Sequence, residues 1–497
     1  MRCSALRLLF LASISACAAE RPAEPGALAL EKPLPEPPVS VPVSAPRAEP
    51  TSREVVTAEP PGPELHSKAR NFWIYSAPDA SSEWIGYLWT GASVRLKSDK
   101  RYFGPGCSGP FYELEAGGFV CENGKLSTLD ADDRVFDTLR AFAPNVEGAL
   151  PYHYGESLGL VRYRSLPSVE IQRRNESDLS RHLASVAQAR RGESVPALLG
   201  VDVRLPSAAP PPMPEFARSI HLPRSDYFRR STVAYTREAR WGNRGFLLTA
   251  DYGWIPKDRV KPYTPSAFRG VRLGVDARLP LAFFRTRDRP EYGRGASGAL
   301  EPTGKRFPRL SFVELSGESV EQGGERFLET TVPGIFVMAK DAVVPQPMAE
   351  PADPTTVEVS IDGGWLLAYE GKRPVYATLI SPGRGGTPVP NRPTLETAST
   401  PVGSFSITLK IVTATMEAPT EFVHSDVPWV QNFTGPYSLH TAYWHDDWGD
   451  AASAGCVNLS PADARWLFEF SEPRLPEGWH AVRKVPAEAS TRVILRP

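Results

Sequence analysis

Apolar and polar positions along the chain change texture several times. Residues 1–17 open with a short basic start and run apolar from about Leu6 to Ile14 before small residues take over. That run is too short to span a bilayer and has the layout of an export signal. From Arg21 to His66 the periodicity vanishes, and 12 of the 46 residues are Pro, interleaved with Ala, Glu, Val and Ser. Such a stretch cannot bury a core, so residues 18–68 read as an extended, polyproline-rich tether, reaching on the order of 140 Å at about 3.1 Å per residue. From Asn71 short aromatic and β-branched runs alternate with Gly and Pro turns: Phe72 to Tyr75, Trp84 to Trp89, Val94 to Leu96. These predict short strands at close spacing, as in a small barrel.

A strand, a Gly turn and a second strand with an aromatic near the turn occur three times. The first copy runs from Phe111 through Cys121, the second from Gly245 to Pro256, the third from Arg326 to Met338. The first resembles the closing strands of bacterial SH3-like domains, and the recurrence suggests tandem modules of related build. Between them, Asn175 to Arg191 carries Arg and Ala at helical spacing with Glu176 and Asp178 near its start, which reads as a solvated helix. After a Pro-rich break at Pro345 to Pro354, strand patterns return at Val357 to Ile361, Gly364 to Lys372, Val375 to Ser381 and Thr400 to Ile407. The Gly383 to Gly386 cluster lacks a following Lys-Ser/Thr and a helix, so it is a turn and not a phosphate loop. Ser460-Pro461-Ala462-Asp463 predicts a helix start, with Ser460 as cap, Pro461 in the first turn and Asp463 completing a box. Trp466, Leu467 and Phe470 would form that helix's inner face. The chain is thus mainly β, in six segments: a signal (1–17), a tether (18–68), β modules at 69–127, 128–264 (with a helical insertion) and 265–346, and a C-terminal domain at 352–497.

Charge and composition narrow the functional classes. Lys and Arg number 56 against 57 Asp and Glu, leaving no basic surface for nucleic acid or for a membrane. The 497 residues and 51 Pro allow several domains joined by Pro-rich breaks. Only five Cys occur. Cys3 falls in the signal. Ile14-Ser15-Ala16-Cys17 resembles the bacterial lipoprotein box, which implies lipidation at Cys17 unless the signal is an ordinary cleaved one. Cys107 and Cys121, 14 residues apart in an exported chain, either bridge the first hairpin, for about 3 kcal/mol of loop entropy, or remain two thiols.

Cys456 follows a glycine and lies 16 residues after His440. A free thiol with a pKa near 8.5 is mostly unreactive at neutral pH, whereas an adjacent imidazolium favours the thiolate. Gly455 leaves room for backbone N–H groups to face an oxyanion. Trp429, Tyr443 and Trp444 are candidate walls of a substrate groove among the surrounding aromatics, while His424 reads as a surface or cap residue. His440, His445, Asp446 and Cys456 also contain zinc-ligand types, but their spacing fits no standard pattern.

His440 followed by Ser453-Ala454-Gly455-Cys456-Val457-Asn458, preceded by Thr400-Pro401-Val402-Gly403-Ser404-Phe405, resembles the signature of the L,D-transpeptidase (YkuD-type) catalytic domain over about residues 355–497. The resemblance implies a β-rich sandwich and no cofactor. It makes Cys456 the nucleophile, His440 the base and the Thr441 carbonyl the group that orients His440. The amides of Ala454, Gly455 and Cys456 would form an oxyanion hole, with Ser453 and Asn458 joining Tyr443, Trp444 and Trp429 in substrate binding. The implied substrate is a peptidoglycan stem peptide, attacked after its third residue, usually diaminopimelate, with an amine of another stem as acceptor. The family usually has His where this chain has Ala454. Hydrolysis of the same acyl-enzyme, attachment of a protein to the wall, or a catalytically inactive wall-binding lipoprotein are the alternatives. The protein would act as a monomer in the periplasm or from the outer membrane, held to a membrane only by lipid.

Overall fold

The computed structural model describes residues 62–159, 161–189, 231–348, 353–418, 422–486 and 489–497. The signal, Cys17 and nearly all of the tether lie outside the described residues. The tether's last residues do not: Glu64–Ser67 is a strand, pairing with Ser93–Arg95 on one side and Ser127–Thr128 on the other. Its Leu65 and His66 are buried, so regular structure begins inside the stretch read as tether.

The first unit is a small β assembly of Phe72–Tyr75, Trp84–Leu88, Phe111–Glu113 and Phe119–Cys121 around Phe72, Ile74, Leu88, Val94, Tyr112 and Val120. A disulfide joins Cys107 to Cys121, with Cα atoms 5.7 Å apart. Trp479 and Val482, from the far end of the chain, complete this core, and Ala481–Arg483 pairs with Trp84–Leu88. The second unit contains His153–Ser157, Thr232–Trp241, Arg244–Thr249, Trp254–Pro256 and Val260–Pro262. It joins the same sheet through the parallel bridge of Thr232 with His424. The third unit is an antiparallel six-stranded sheet, from Leu281–Phe283 to Ile335–Met338, with its own cores around Phe284 and Phe336. Just before it, Val271–Arg272 pairs with Arg373–Leu379 and so belongs to the C-terminal domain. All three recurring strand–turn–strand segments are antiparallel hairpins.

The predicted single helix is two, Val169–Asn175 and Leu179–Ala189. The break has a cause: Glu176 is buried and its carboxylate accepts hydrogen bonds from Arg244, Arg259 and the Tyr163 hydroxyl. Asp178 pairs with Arg259. The segment is therefore clamped to the second unit rather than solvated on all sides.

In the C-terminal domain a six-stranded sheet, with Thr355–Ser360 and Arg492–Arg496 parallel at its centre, faces strands Leu409–Ala418, Phe422–Thr434, Tyr437–Thr441 and Val457–Leu459. The apolar layer between them holds Val357, Val359, Leu366, Leu439, Val457 and Leu459. Helix Pro461–Phe470 adds Leu467, Phe468 and Phe470 to it. Ser460 caps the helix through its hydroxyl, 3.2 Å from the Asp463 N–H. The Asp463 carboxylate itself accepts from Tyr376, Thr378 and the Gly270 N–H. Trp466 stacks outside on Tyr376, ring centres 3.9 Å apart, and Phe468 takes the inner place predicted for it.

Candidate thiol site

Side chains alternate across a strand, and this alternation builds the site. Leu439, Val457 and Leu459 point into the layer below, so Ser438, His440, Cys456 and Asn458 share the opposite face. The two strands run parallel with His440 opposite Asn458. Cys456 accordingly falls beside Ser438, whose Oγ is 3.8 Å from its sulfur, with His440 one step along the same face. The Pro436 carbonyl is also 3.8 Å from that sulfur. Both His440 and Cys456 are buried, at 0% and 3% exposure.

His440 Nδ1 lies 2.9 Å from the Thr441 carbonyl oxygen. A carbonyl only accepts, so Nδ1 carries the proton and Nε2 presents a lone pair. Nε2 is buried and has no hydrogen-bond partner among the described residues. An imidazole so fixed can receive a proton at one nitrogen only.

Gly455 has φ +133°, and a Cβ there would lie 2.6 Å from a Tyr437 ring carbon and 2.9 Å from the Ser399 carbonyl. No side chain fits. Its N–H donates to Ser453 Oγ at 3.0 Å, and the same hydroxyl donates to the Cys456 carbonyl at 2.5 Å. The expected free Gly455 amide of an oxyanion hole is thus already used. Ser453, fully buried, closes the turn that presents the cysteine instead of facing a substrate. The segment from Pro382 to Thr400 packs over this turn. Gly383 donates to Thr400 Oγ1 at 2.8 Å, Arg384 donates to the Ser453 carbonyl, and Tyr437 bonds Thr394. Thr400, the first residue of the upstream motif, therefore works by holding the covering loop.

The aromatic residues divide. Trp444 stacks on His424, 4.2 Å and 2° apart, and lies 6.1 Å from His440. His424 is buried, contrary to the surface role expected of it. Tyr443 donates to the Ser425 carbonyl, bonds Thr232 at 2.6 Å and stacks on Tyr154 at 3.9 Å; it ties the second unit to the loop after the histidine. Trp429 is in the layer under the sheet, against Phe468, with its indole N–H on the Ala149 carbonyl. It faces away from Cys456 and cannot wall the same groove. Ala454 is buried beside the cysteine, at 8% exposure.

His445 is the residue whose part in the site the sequence did not reveal. Its Nδ1 accepts from the Asp447 N–H at 3.2 Å, and its Nε2 lies 3.1 Å from the Asn458 amide group. Burial lowers its pKa, and the charge of a nearby protonated His440 would lower it further. The ring is therefore neutral near pH 7, and with Nδ1 accepting, its proton is on Nε2. Asn458 must then offer its oxygen to His445. The Asn458 NH2 group consequently occupies the amide position that has no partner, an unused donor on the face of His440 and Cys456. A histidine five residues after the base was the available signal.

The zinc alternative fails on placement. Asp446 turns to Ser266, Trp448 and Arg309, and among the described residues no three His, Cys, Asp or Glu side chains gather as metal ligands.

A buried thiol on the same strand face as a tautomer-fixed imidazole brings together the two groups that thiol acyl transfer requires. Comparison with known families gives the narrower assignment: residues 354–491 match the YkuD family, the L,D-transpeptidase catalytic domain. Solved structures similar to this chain include an L,D-transpeptidase from Xylanimonas cellulosilytica, at 26% identity over 31% of this chain and 65% of that one, TM-score 0.22. Another is from Stackebrandtia nassauensis, at 23% identity over 30% and 58%, TM-score 0.21. A third is a cysteine-to-serine mutant of an Enterococcus faecium L,D-transpeptidase, at 20% over 29% and 50%, TM-score 0.22. The matched part spans less than two-thirds of each of these chains. A search of curated proteins found no match. The family match, together with the fold, makes the C-terminal part a YkuD-type domain.

Proposed function

We propose that the protein is a peptidoglycan L,D-transpeptidase that works through a Cys456 thioester. The observation that carries this reading is the His440 tautomer: Nδ1–H held by the Thr441 carbonyl leaves Nε2 as the base on the face that Cys456 shares. His440 Nε2 takes the thiol proton, and the sulfur attacks the carbonyl after the third stem residue. The bond to the terminal residue breaks as His440 returns the proton to the leaving amine. A side-chain amine of a second stem then attacks the thioester, gives up its proton to His440 and releases the thiolate. Oxyanion stabilisation is assigned to the Asn458 NH2, since Gly455 N–H serves Ser453.

The signal-like residues 1–17 and the Pro-rich stretch that follows support export and lipid attachment at Cys17, and the reading is of an enzyme that acts in the periplasm or from the outer membrane, as a monomer with the wall as its partner. The test is incubation with a disaccharide-tetrapeptide and an acceptor stem, with products identified by mass spectrometry. Cross-linked dimer with loss of the terminal residue is expected, and none with Cys456→Ala. Turnover by that variant would overturn the mechanism, and tripeptide alone would make the enzyme a carboxypeptidase.

A further inference from the structure

A cavity of about 460 Å³ lies between the second β unit and the loop after His440, within the size range of small-ligand sites. Its wall is chemically one-sided. Tyr152, Tyr154, Tyr235, Tyr263, Tyr443 and His153 dominate it, and among the described residues that line it there is no Asp, Glu, Lys or Arg. A second cavity of equal volume, beside Trp429, is by contrast bordered by Glu469, Arg474 and Glu477. In the first cavity two ring pairs form opposing surfaces: Tyr443 on Tyr154 at 3.9 Å, and His153 near-parallel to Tyr235 at 5.5 Å and 26°. Asn145 adds a planar amide.

A stem peptide carries carboxylates and an ammonium group, and here they would lose water without gaining a counter-charge. A neutral pyranose is the opposite case. Its C–H faces suit aromatic surfaces, and its hydroxyl and acetamido rim suits the His153 imidazole and the Asn145 amide, the hydroxyls of Tyr152, Tyr154 and Tyr443 being bonded within the protein. We infer that this cavity binds neutral N-acetylamino-sugar units of a glycan. The choice of sugar rests on the function proposed above. Position supports it as well. Trp444 packs edge-on against Tyr443, 5.0 Å and 87°, and lies 6.1 Å from His440. A glycan in the cavity is thus separated from the base by two aromatic rings, Tyr443 and Trp444.

The test is calorimetric titration of the full chain with tetra-N-acetylchitotetraose, a neutral sugar without peptide. Binding is expected, weakened roughly three- to tenfold by Tyr235→Ala, the cost of one aromatic contact. His153→Ala, at an exposed position, provides a second variant that keeps the fold and is expected to weaken binding too. Acylation of Cys456 by free tetrapeptide should be unchanged in both, and free tetrapeptide should not compete with the sugar. Absence of sugar binding, equal affinity in the wild type and both variants, or competition by free tetrapeptide would overturn the inference. Sugar binding that depends on Tyr235, in a protein whose thiol is never acylated, would instead sink the proposed function and leave the glycan site standing.

Discussion

His445 and Asn458 carry the most specific consequence at the scale of single residues. His445 holds the Asn458 oxygen and leaves the amide nitrogen as the half of the side chain with no partner among the described residues. His445→Phe removes that hold. We expect acylation of Cys456 to slow about tenfold or more, the usual range for losing one oriented donor, with the fold retained. His445→Gln, which can still donate to the Asn458 oxygen, should recover most of the rate. Stopped-flow fluorescence with a thiol-acylating β-lactam measures both, and equal rates for wild type and the Phe variant would remove Asn458 from the mechanism. The proton linkage has a definite sign. Burial depresses the His445 pKa in the folded state, so the unfolded chain binds more protons below about pH 6.5 and stability falls as pH drops through that window. The Phe variant should lose that part of the acid sensitivity, seen as a smaller drop in Tm between pH 7 and 5.

At the scale of elements, helix Pro461–Phe470 and the covering loop each hold one side of the site. Lys410 is fully buried, with Nζ donating to the Phe468 and Ser471 carbonyls at 2.6 and 2.8 Å. It thus satisfies the helix's C-terminal carbonyls. Burial pushes its pKa down to about 7. The unfolded lysine, near 10.4, binds the extra proton between those values, so this residue's contribution to stability rises as pH climbs from about 7 to 10. Lys410→Met should therefore cost more stability at pH 9 than at pH 6, read from paired Tm values. A pH-independent difference would mean that the amine stays charged in the fold. On the other side, Thr400→Val deletes the acceptor of the Gly383 N–H and leaves a buried donor unpaired, a loss of about 1–3 kcal/mol. The site itself was legible at this scale because its parts are local: a glycine before a cysteine, a capped helix after it, a histidine 16 residues upstream. Ser453 was misread as a substrate contact and Trp429 as a groove wall, because sequence spacing does not say which face of a strand a residue takes.

At the scale of the whole molecule, the first and second units share one sheet with strands of the C-terminal domain. The first unit's core is completed by Trp479 and Val482, the second is bridged to His424, and Arg70 donates to the buried Asp426 at 2.9 Å while lying 4.2 Å over Trp89. Contacts between residues about 190 to 400 positions apart leave no local trace, so a sequence of modules was readable and their fusion was not. Likewise the break at Glu176 depends on Arg244 and Arg259, invisible from the helical spacing alone. Arg70→Met leaves the Asp426 charge buried and unpaired, which costs about 3–5 kcal/mol. Burial already raises the Asp426 pKa against the pull of Arg70. Without that cation the carboxyl takes up a proton more readily, so the loss should shrink as pH is lowered from 7.5 to 4.5. Denaturant unfolding at the two pH values checks this, and an equal loss at both would show that the pair is not what joins the first unit to strand Phe422–Thr434.

The central claim is that Cys456 carries the acyl group, and intact-protein mass spectrometry tests it most directly. After brief mixing with a disaccharide-tetrapeptide, the protein should gain the mass of the substrate less that of the free terminal amino acid it releases. Peptide mapping should locate the addition on Cys456, and Cys456→Ala should show none. An adduct on any other residue, or cross-linked product formed without passing through a Cys456 adduct, would contradict the account.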